Sequence, residues 1–168
     1  MFNINYDYEK KDLSKLNKVL VIIEDNYRIL ERVDYRSITK HNISDIKLFL
    51  RDEELFVNHQ LEIKWGPGNH ADIATNVSEH YLKHKDEFTW NSIKEYQNYP
   101  IKYFYQMKDV CVHSNGVHTY LSGFYNNVFI IGRYHQDIFG ISSCYYVESG
   151  SKPGRYNNLC FKLQFSPI

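Results

Sequence analysis

The pair Asn115-Gly116 stands between two alternating stretches, residues 109–113 and 117–121. Asn-Gly in that setting is the strongest short-range signal for a β-hairpin, because both residues tolerate the positive φ of a type I′ turn. Read as a two-residue turn, it pairs Ser114 with Val117 and sets His113 opposite His118, with Cβ atoms about 4.5–5.5 Å apart. Cys111 and Tyr120 then share that face, since side chains alternate with a period of two. Further strands are expected at 126–132 and, after a turn at 133–137, at 138–147. A fifth follows at 158–165, beyond the loop 148–157.

Upstream of residue 109 the apolar spacing is helical. Leu13, Leu16, Leu20, Ile23, Tyr27 and Leu30 recur every three or four positions, which predicts an amphipathic helix over 12–33, after a loose stretch at 1–9. A connector at 34–42 leads to a second helix at 43–50, capped by Asn42 or Ser44. Residues 61–65 alternate like a short strand and stop at Gly66-Pro67-Gly68. Asn69 then caps a helix running to about Lys85, with Ile73, Val77 and His84 in one narrow arc and His80 on its shoulder. Ser92 to Glu95 is a capping box that opens another helix, which Pro100 should kink or split. Its aromatic stripe Tyr96, Tyr99, Tyr103 and Phe104 reads as core. Helices first and strands after predict an α+β fold, N-terminal helices on a C-terminal antiparallel meander of four or five strands. Residues 1–60 form a helical layer or subdomain and 61–168 the α+β domain that carries the chemistry.

A chain of 168 residues with 43% hydrophobic and 24% charged residues can bury a core of its own. Its formal charge is zero, so no global basic field advertises a nucleic-acid partner, although 8 histidines add charge below about pH 6.5. Cys111, Cys144 and Cys160 lack metal-type spacing and read as reduced thiols. No stretch is apolar enough for a signal peptide or a membrane span, so no membrane partner is expected.

Neither a phosphate-binding loop nor a serine in a nucleophile elbow is present. His70, His80, His84, His113 and His118 lack the companion carboxylates of a catalytic metal site, so neither metal nor cofactor is expected. Metal-free acid–base chemistry on a phosphodiester does fit. Cleaving RNA through its own 2′-hydroxyl takes a base, an acid for the leaving 5′-oxygen and a cation for the phosphorane. The helix supplies His80, Lys83 and His84; the sheet supplies His113, His118, Tyr120, Arg133, Ser143 and Tyr145.

HYLKHKDEF followed by SIKEY resembles the helical stretch H-(aromatic)-x-K-H-G-x-E-F … (A/S)-x-E-E-Y of bacterial contact-dependent and polymorphic toxins. VCVHSNGVHTYL, NNVFIIG and GISSCYY stand in the order of that group's hairpin and strands. The resemblance spans roughly residues 70–147. It implies the barnase/EndoU/colicin/RelE-like ribonuclease fold, a helical pair on an antiparallel sheet that cuts RNA without metal. His80, Lys83 and His84 match the helix motif and Ser143 takes the place of its threonine. Lys85 stands where the motif has glycine, His113 and Ser142 where arginines are usual, and the basic residue after the last aromatic is absent. The implied function is a toxin-type endoribonuclease acting on RNA, tRNA among the candidates, and leaving a 2′,3′-cyclic phosphate. The implied site of action is cytoplasmic, by delivery as part of a larger toxin, with a cognate immunity or inhibitor protein as partner. His80 or His84 would be base or acid, Lys83 the charge stabiliser, His113, His118, Ser143 and Tyr145 sheet-side partners, and Tyr120 and Arg133 substrate contacts. The alternative is a non-catalytic protein- or nucleic-acid-binding module on the same fold; a phosphotransfer or ADP-ribosyl enzyme on another α+β fold is a third reading.

Overall fold

The computed structural model describes residues 2–4, 18–23, 26–31, 40–115, 117–148 and 159–167. Helices precede a five-stranded antiparallel open sheet, an α+β arrangement. The expected helix at 12–33 is not formed. Three short strands, β1 (Phe2–Ile4), β2 (Lys18–Ile23) and β3 (Asn26–Glu31), make a separate sheet in the order β1-β2-β3, with Ile23 paired to Asn26. The run Val19-Leu20-Val21-Ile22-Ile23 explains the difference. Four β-branched residues among five favour a pleated strand, and the wider helical spacing was incidental to it. Residues 2–4 are likewise strand. The rest of 1–9, most of the connector and the loop at 149–157 lie outside the described residues.

Helix α1 (Lys40–Arg51) starts earlier than expected, so Asn42 and Ser44 lie inside it and neither is its cap. Asn42 is instead buried, and its amide donates to Thr119 Oγ1 at 3.1 Å. A short α2 (Glu53–Val57) follows directly, with Asp52 at its N-cap. Ile46, Phe49, Leu50 and Phe56 from these helices share one core with the sheet, where Phe139 packs edge-on against both phenylalanines.

The sheet comprises β4 (Lys108–Ser114), β5 (Thr119–Tyr125), β6 (Val128–His135), β7 (Ile138–Tyr146) and β8 (Leu159–Lys162), in the order β7-β6-β5-β4-β8. Four strands form the meander; the fifth does not extend it but returns to pair with β4. Val112, Leu121, Ile130, Tyr134 and Ile141 face the helical core. Alternation sends His113, Tyr120, Ser122, Ile131, Arg133 and Tyr145 to the other face.

Residues 61–65 are not a strand. Only Trp65 bridges to Ile141, in parallel, as Ile141 N–H donates to Lys64 O (2.8 Å) and Gly66 N–H to Ile141 O (2.9 Å). The approach is close enough that a Cβ on Gly140 would stand 2.6 Å from Gly66 N. Helix α3 (Ile73–His84) begins after Asp72, whose carboxylate accepts from Thr75 N–H, so Asp72 rather than Asn69 is the cap. Ile73, in that first turn, is 45% exposed, whereas Val77 and His84 are buried as their arc predicted. Helix α4 (Ile93–Tyr103) opens at the Ser92–Glu95 cap and continues through Pro100 without splitting. Tyr96 and Phe104 are fully buried, and Tyr96 Oη donates to Cys144 O on β7 at 2.6 Å. Cys111, Cys144 and Cys160 are buried thiols outside any disulfide. Among the described residues, no helix is long and apolar enough to cross a membrane.

Candidate active site

The hairpin differs from expectation by two positions. Ser114 pairs with Thr119 and His113 with Tyr120, so His118 falls in the connecting loop rather than opposite His113. Asn115 organises this loop through its side chain, with Oδ1 accepting from the Val117 and His118 N–H groups (2.8 and 2.7 Å). An Asx turn of this kind competes with the two-residue turn; Gly116 lies outside the described residues. Because the slip is even, His113, Cys111 and Tyr120 keep the face the sequence assigned them.

On β7 a bulge decides which residues reach the site. Ile131 pairs with Ser143 but Gly132 with Ile141, which leaves Ser142 as the extra residue. Without it Ile141 and Ser143 would share a face. With it, Ile141 enters the core and Ser143 meets the helix. Ser143 Oγ lies 3.1 Å from His80 Nδ1. His80, half-buried, forms one wall of a cavity of about 280 Å³ shared with His70, Tyr120, Ile131, Arg133 and Ser143. The His70 ring stands edge-on to His80 at 5.9 Å. Burial, then the neighbouring His84, His70 and Lys83, lower the His80 pKa from 6.5 to about 4. His80 is therefore neutral at pH 7.

Arg133 brings the cavity its cation. Its Nη2 donates to Gly68 O (2.6 Å) and Asn69 Oδ1 (3.3 Å), and its Nη1 to Tyr134 O (3.3 Å). A guanidinium has five N–H donors, so these bonds fix its place and leave donors for a ligand.

The remaining predicted residues lie around this cavity but do not line it. His84 stacks between His80 (5.9 Å) and Tyr145 (5.3 Å), and its Nδ1 meets Glu87 Oε2 at 2.5 Å. Lys83 is exposed on α3. His113 is buried with Nε2 3.1 Å from Ser122 Oγ, and its ring stacks on Tyr120 at 5.6 Å. His118 flanks the same tyrosine at 5.9 Å. His84 thus touches the cavity wall through His80, and His113 and His118 through Tyr120, but none of the three lines it. Among the described residues, no group of three or more His, Cys, Asp or Glu is placed to hold a metal ion.

Sequence reasoning weighed His70 only as a metal ligand and gave Asn76 no role. Asn76 is fully buried one helical turn before His80, and its Nδ2 donates to Gly66 O (2.8 Å) and Ser142 O (3.2 Å). One amide therefore ties the loop bearing His70 to the bulge bearing Ser143. A polar residue on the core side of α3 was the available signal. Asn76→Ala is expected to cost about 1–3 kcal/mol, the penalty for stranding buried carbonyls, measured by urea denaturation. Followed by NMR, the His80 titration should move from about 4 toward 6.5 as the freed loop lets water in.

Comparisons with models of protein families, with curated proteins and with solved structures found no match to this chain.

Proposed function

We propose that the chain is a metal-independent endoribonuclease in which His80 is the general base. The observation that carries this reading is the single cavity shared by His80, Ser143, Tyr120, Arg133 and His70. His80 takes the proton of the 2′-hydroxyl, the oxygen attacks phosphorus, and a 2′,3′-cyclic phosphate forms as the P–O5′ bond breaks. Arg133 stabilises the phosphorane charge, a task Lys83 is too exposed to perform directly. His70, edge-on beside His80 in the same cavity, supplies the proton to the leaving oxygen. Ser143 holds the base in place, and Tyr120 backs the substrate. The order of elements, a helix pair and then an antiparallel meander, supports the toxin-ribonuclease likeness, with an immunity protein as the expected inhibitor.

One observation favours the alternative, a binding module. His113 and His84 are engaged with Ser122 and Glu87 outside the cavity, so a site drawn from both sides of the fold is only half assembled. Purified protein incubated with total RNA, tRNA and single-stranded oligonucleotides in EDTA decides between them. Cleavage with cyclic-phosphate ends is expected. Folded protein that cleaves none of these substrates would refute the ribonuclease reading in favour of the binding module, and cleavage that EDTA abolishes would refute the mechanism.

A further inference from the structure

The turn that closes α3 folds Glu87 back over the helix end: Lys85 N–H donates to Tyr81 O (2.8 Å) and Glu87 N–H to His84 O (3.0 Å). Its carboxylate meets His84 Nδ1 at 2.5 Å. A carboxylate only accepts, so Nδ1 carries the hydrogen, and the buried His84 ring cannot turn without losing the bond. Closing the helix does not account for an acid at this place. The C-terminal end of a helix is its negative pole and favours Lys, Arg or His over Glu.

The bond fixes more than its own ring. His84 lies between His80, with ring centroids 5.9 Å apart and planes 6° from parallel, and Tyr145 of β7, at 5.3 Å and 23°. An i,i+4 spacing brings two side chains to one helix face, but it does not make their rings parallel. The χ2 torsion of histidine is broad, so the backbone does not set the ring plane either. What sets it is outside the helix: Glu87 holds the plane of His84 and Tyr145 backs it. The His80 ring lies along that plane with Nδ1 3.1 Å from Ser143 Oγ, which leaves Nε2 for the substrate. Neither His84 nor Glu87 lines the cavity.

We infer that Glu87 is a positioning residue of the ribonuclease site: it orients His84, and the stacked His84 ring holds the base His80 in its working plane. This rests on the ribonuclease reading, since it assigns no contact with RNA to Glu87 itself. The ionisable groups around the two rings are Lys83 on α3, His70 in the loop before it, Tyr145 on β7, Arg133 on β6 and Tyr120 on β5. After burial, His84 is the first influence that lowers the His80 pKa, ahead of His70 and Lys83, so the two rings are coupled in charge as well as in shape.

The test compares Glu87→Ala, Glu87→Gln and Asp86→Ala, the last removing the neighbouring exposed carboxylate. The His80 ring is followed by NMR titration, and RNA cleavage in EDTA by steady-state kinetics. Glu87→Ala should lower kcat roughly ten-fold or more with KM little changed, the effect of a misplaced reacting group. It should also move the His80 titration upward from about 4, as the loosened ring admits water. Glu87→Gln keeps an oxygen to accept from Nδ1 and should restore most of both losses, while Asp86→Ala should match wild type. On a His84→Phe background, which keeps a ring but has no Nδ1 to hold, Glu87→Ala should cost nothing further. A Glu87→Ala protein that is less stable in urea but unchanged in kcat and in the His80 titration overturns the inference. So does an undiminished loss on the His84→Phe background, or a Gln variant no better than Ala. Protein that cleaves no RNA, but whose His80 titration still moves in Glu87→Ala, sinks the ribonuclease reading and leaves the coupling of Glu87, His84 and His80 standing. Cleavage indifferent to Glu87→Ala sinks the positioning role alone.

Discussion

His80→Ala is expected to lower the rate of RNA cleavage by roughly 10²–10⁴, the usual contribution of one general base. The protein should remain folded, since His80 is half-buried and its side-chain hydrogen bond is to Ser143. Lys83→Ala and His135→Ala, both of exposed residues outside the cavity, serve as controls and should change little. The pH profile separates base from acid. With its pKa held at about 4, chiefly by burial, His80 is unprotonated above that value, so the wild-type rate should rise with pH through about 4, the limb that belongs to the base; any fall at higher pH belongs to the proton donor. An acid role demands the opposite limb. Stability follows the same group. The unfolded chain protonates this histidine near 6.5 and the folded chain only near 4, so between these values the unfolded state holds more protons. The stabilisation is present above about 6.5 and is lost as pH falls toward 4. His80→Ala should remove that component, giving a shallower acid limb in denaturation midpoints. A steeper limb, or a variant as active as wild type, would rule out this assignment.

Tyr96→Ala is expected to destabilise the fold by about 3–5 kcal/mol, the range for deleting a buried aromatic ring. That is a large part of the roughly 5–15 kcal/mol by which a domain is stable. Tyr96 is fully buried, its ring meets Trp90 edge-on at 4.9 Å and Trp65 at 5.7 Å, and its hydroxyl donates to Cys144 O. It thereby joins α4 and the 61–66 segment to the strand that carries Ser143. Tyr96→Phe keeps the ring and should cost only about 0.5–1.5 kcal/mol, the net worth of one hydrogen bond. Urea denaturation of both variants measures the two contributions separately. Similar losses for Phe and Ala would mean that the hydroxyl, and not the ring, holds this junction.

Element types from residue 69 onward were legible because each long segment carries one clear period: Val77 and His84 for α3, Tyr96 for α4, and alternation for the strands. The order of layers followed from that change of period. Residues 12–33 misled because Leu20, Ile23, Tyr27 and Leu30 satisfy a helical template while the β-branched run within them satisfies a strand, and no local term arbitrates between the two. The site was legible as residue types but not as geometry. A slip of two in the hairpin moved His118 off its partner, and one extra residue at Ser142 turned Ser143 toward His80. Both depend on pairings with other strands that are invisible in a local window. Arg133 was placed in a turn, yet β6 runs on to His135 and brings it into the cavity.

The bridge between Trp65 and Ile141 bears on how other molecules can approach the sheet. An outer strand presents unpaired backbone groups on which a passing chain can zip up as one more strand, which is how many domains capture extended peptides and how sheets aggregate. Here the N–H and C=O of Ile141, midway along the outermost strand β7, are both taken by the Lys64–Gly66 backbone. The glycines at 66 and 140 let the two backbones lie almost flush. Lateral growth is blocked at the centre of that edge by the protein's own chain. A polypeptide partner on the β7 side must therefore be recognised there by side chains rather than by extension of the sheet.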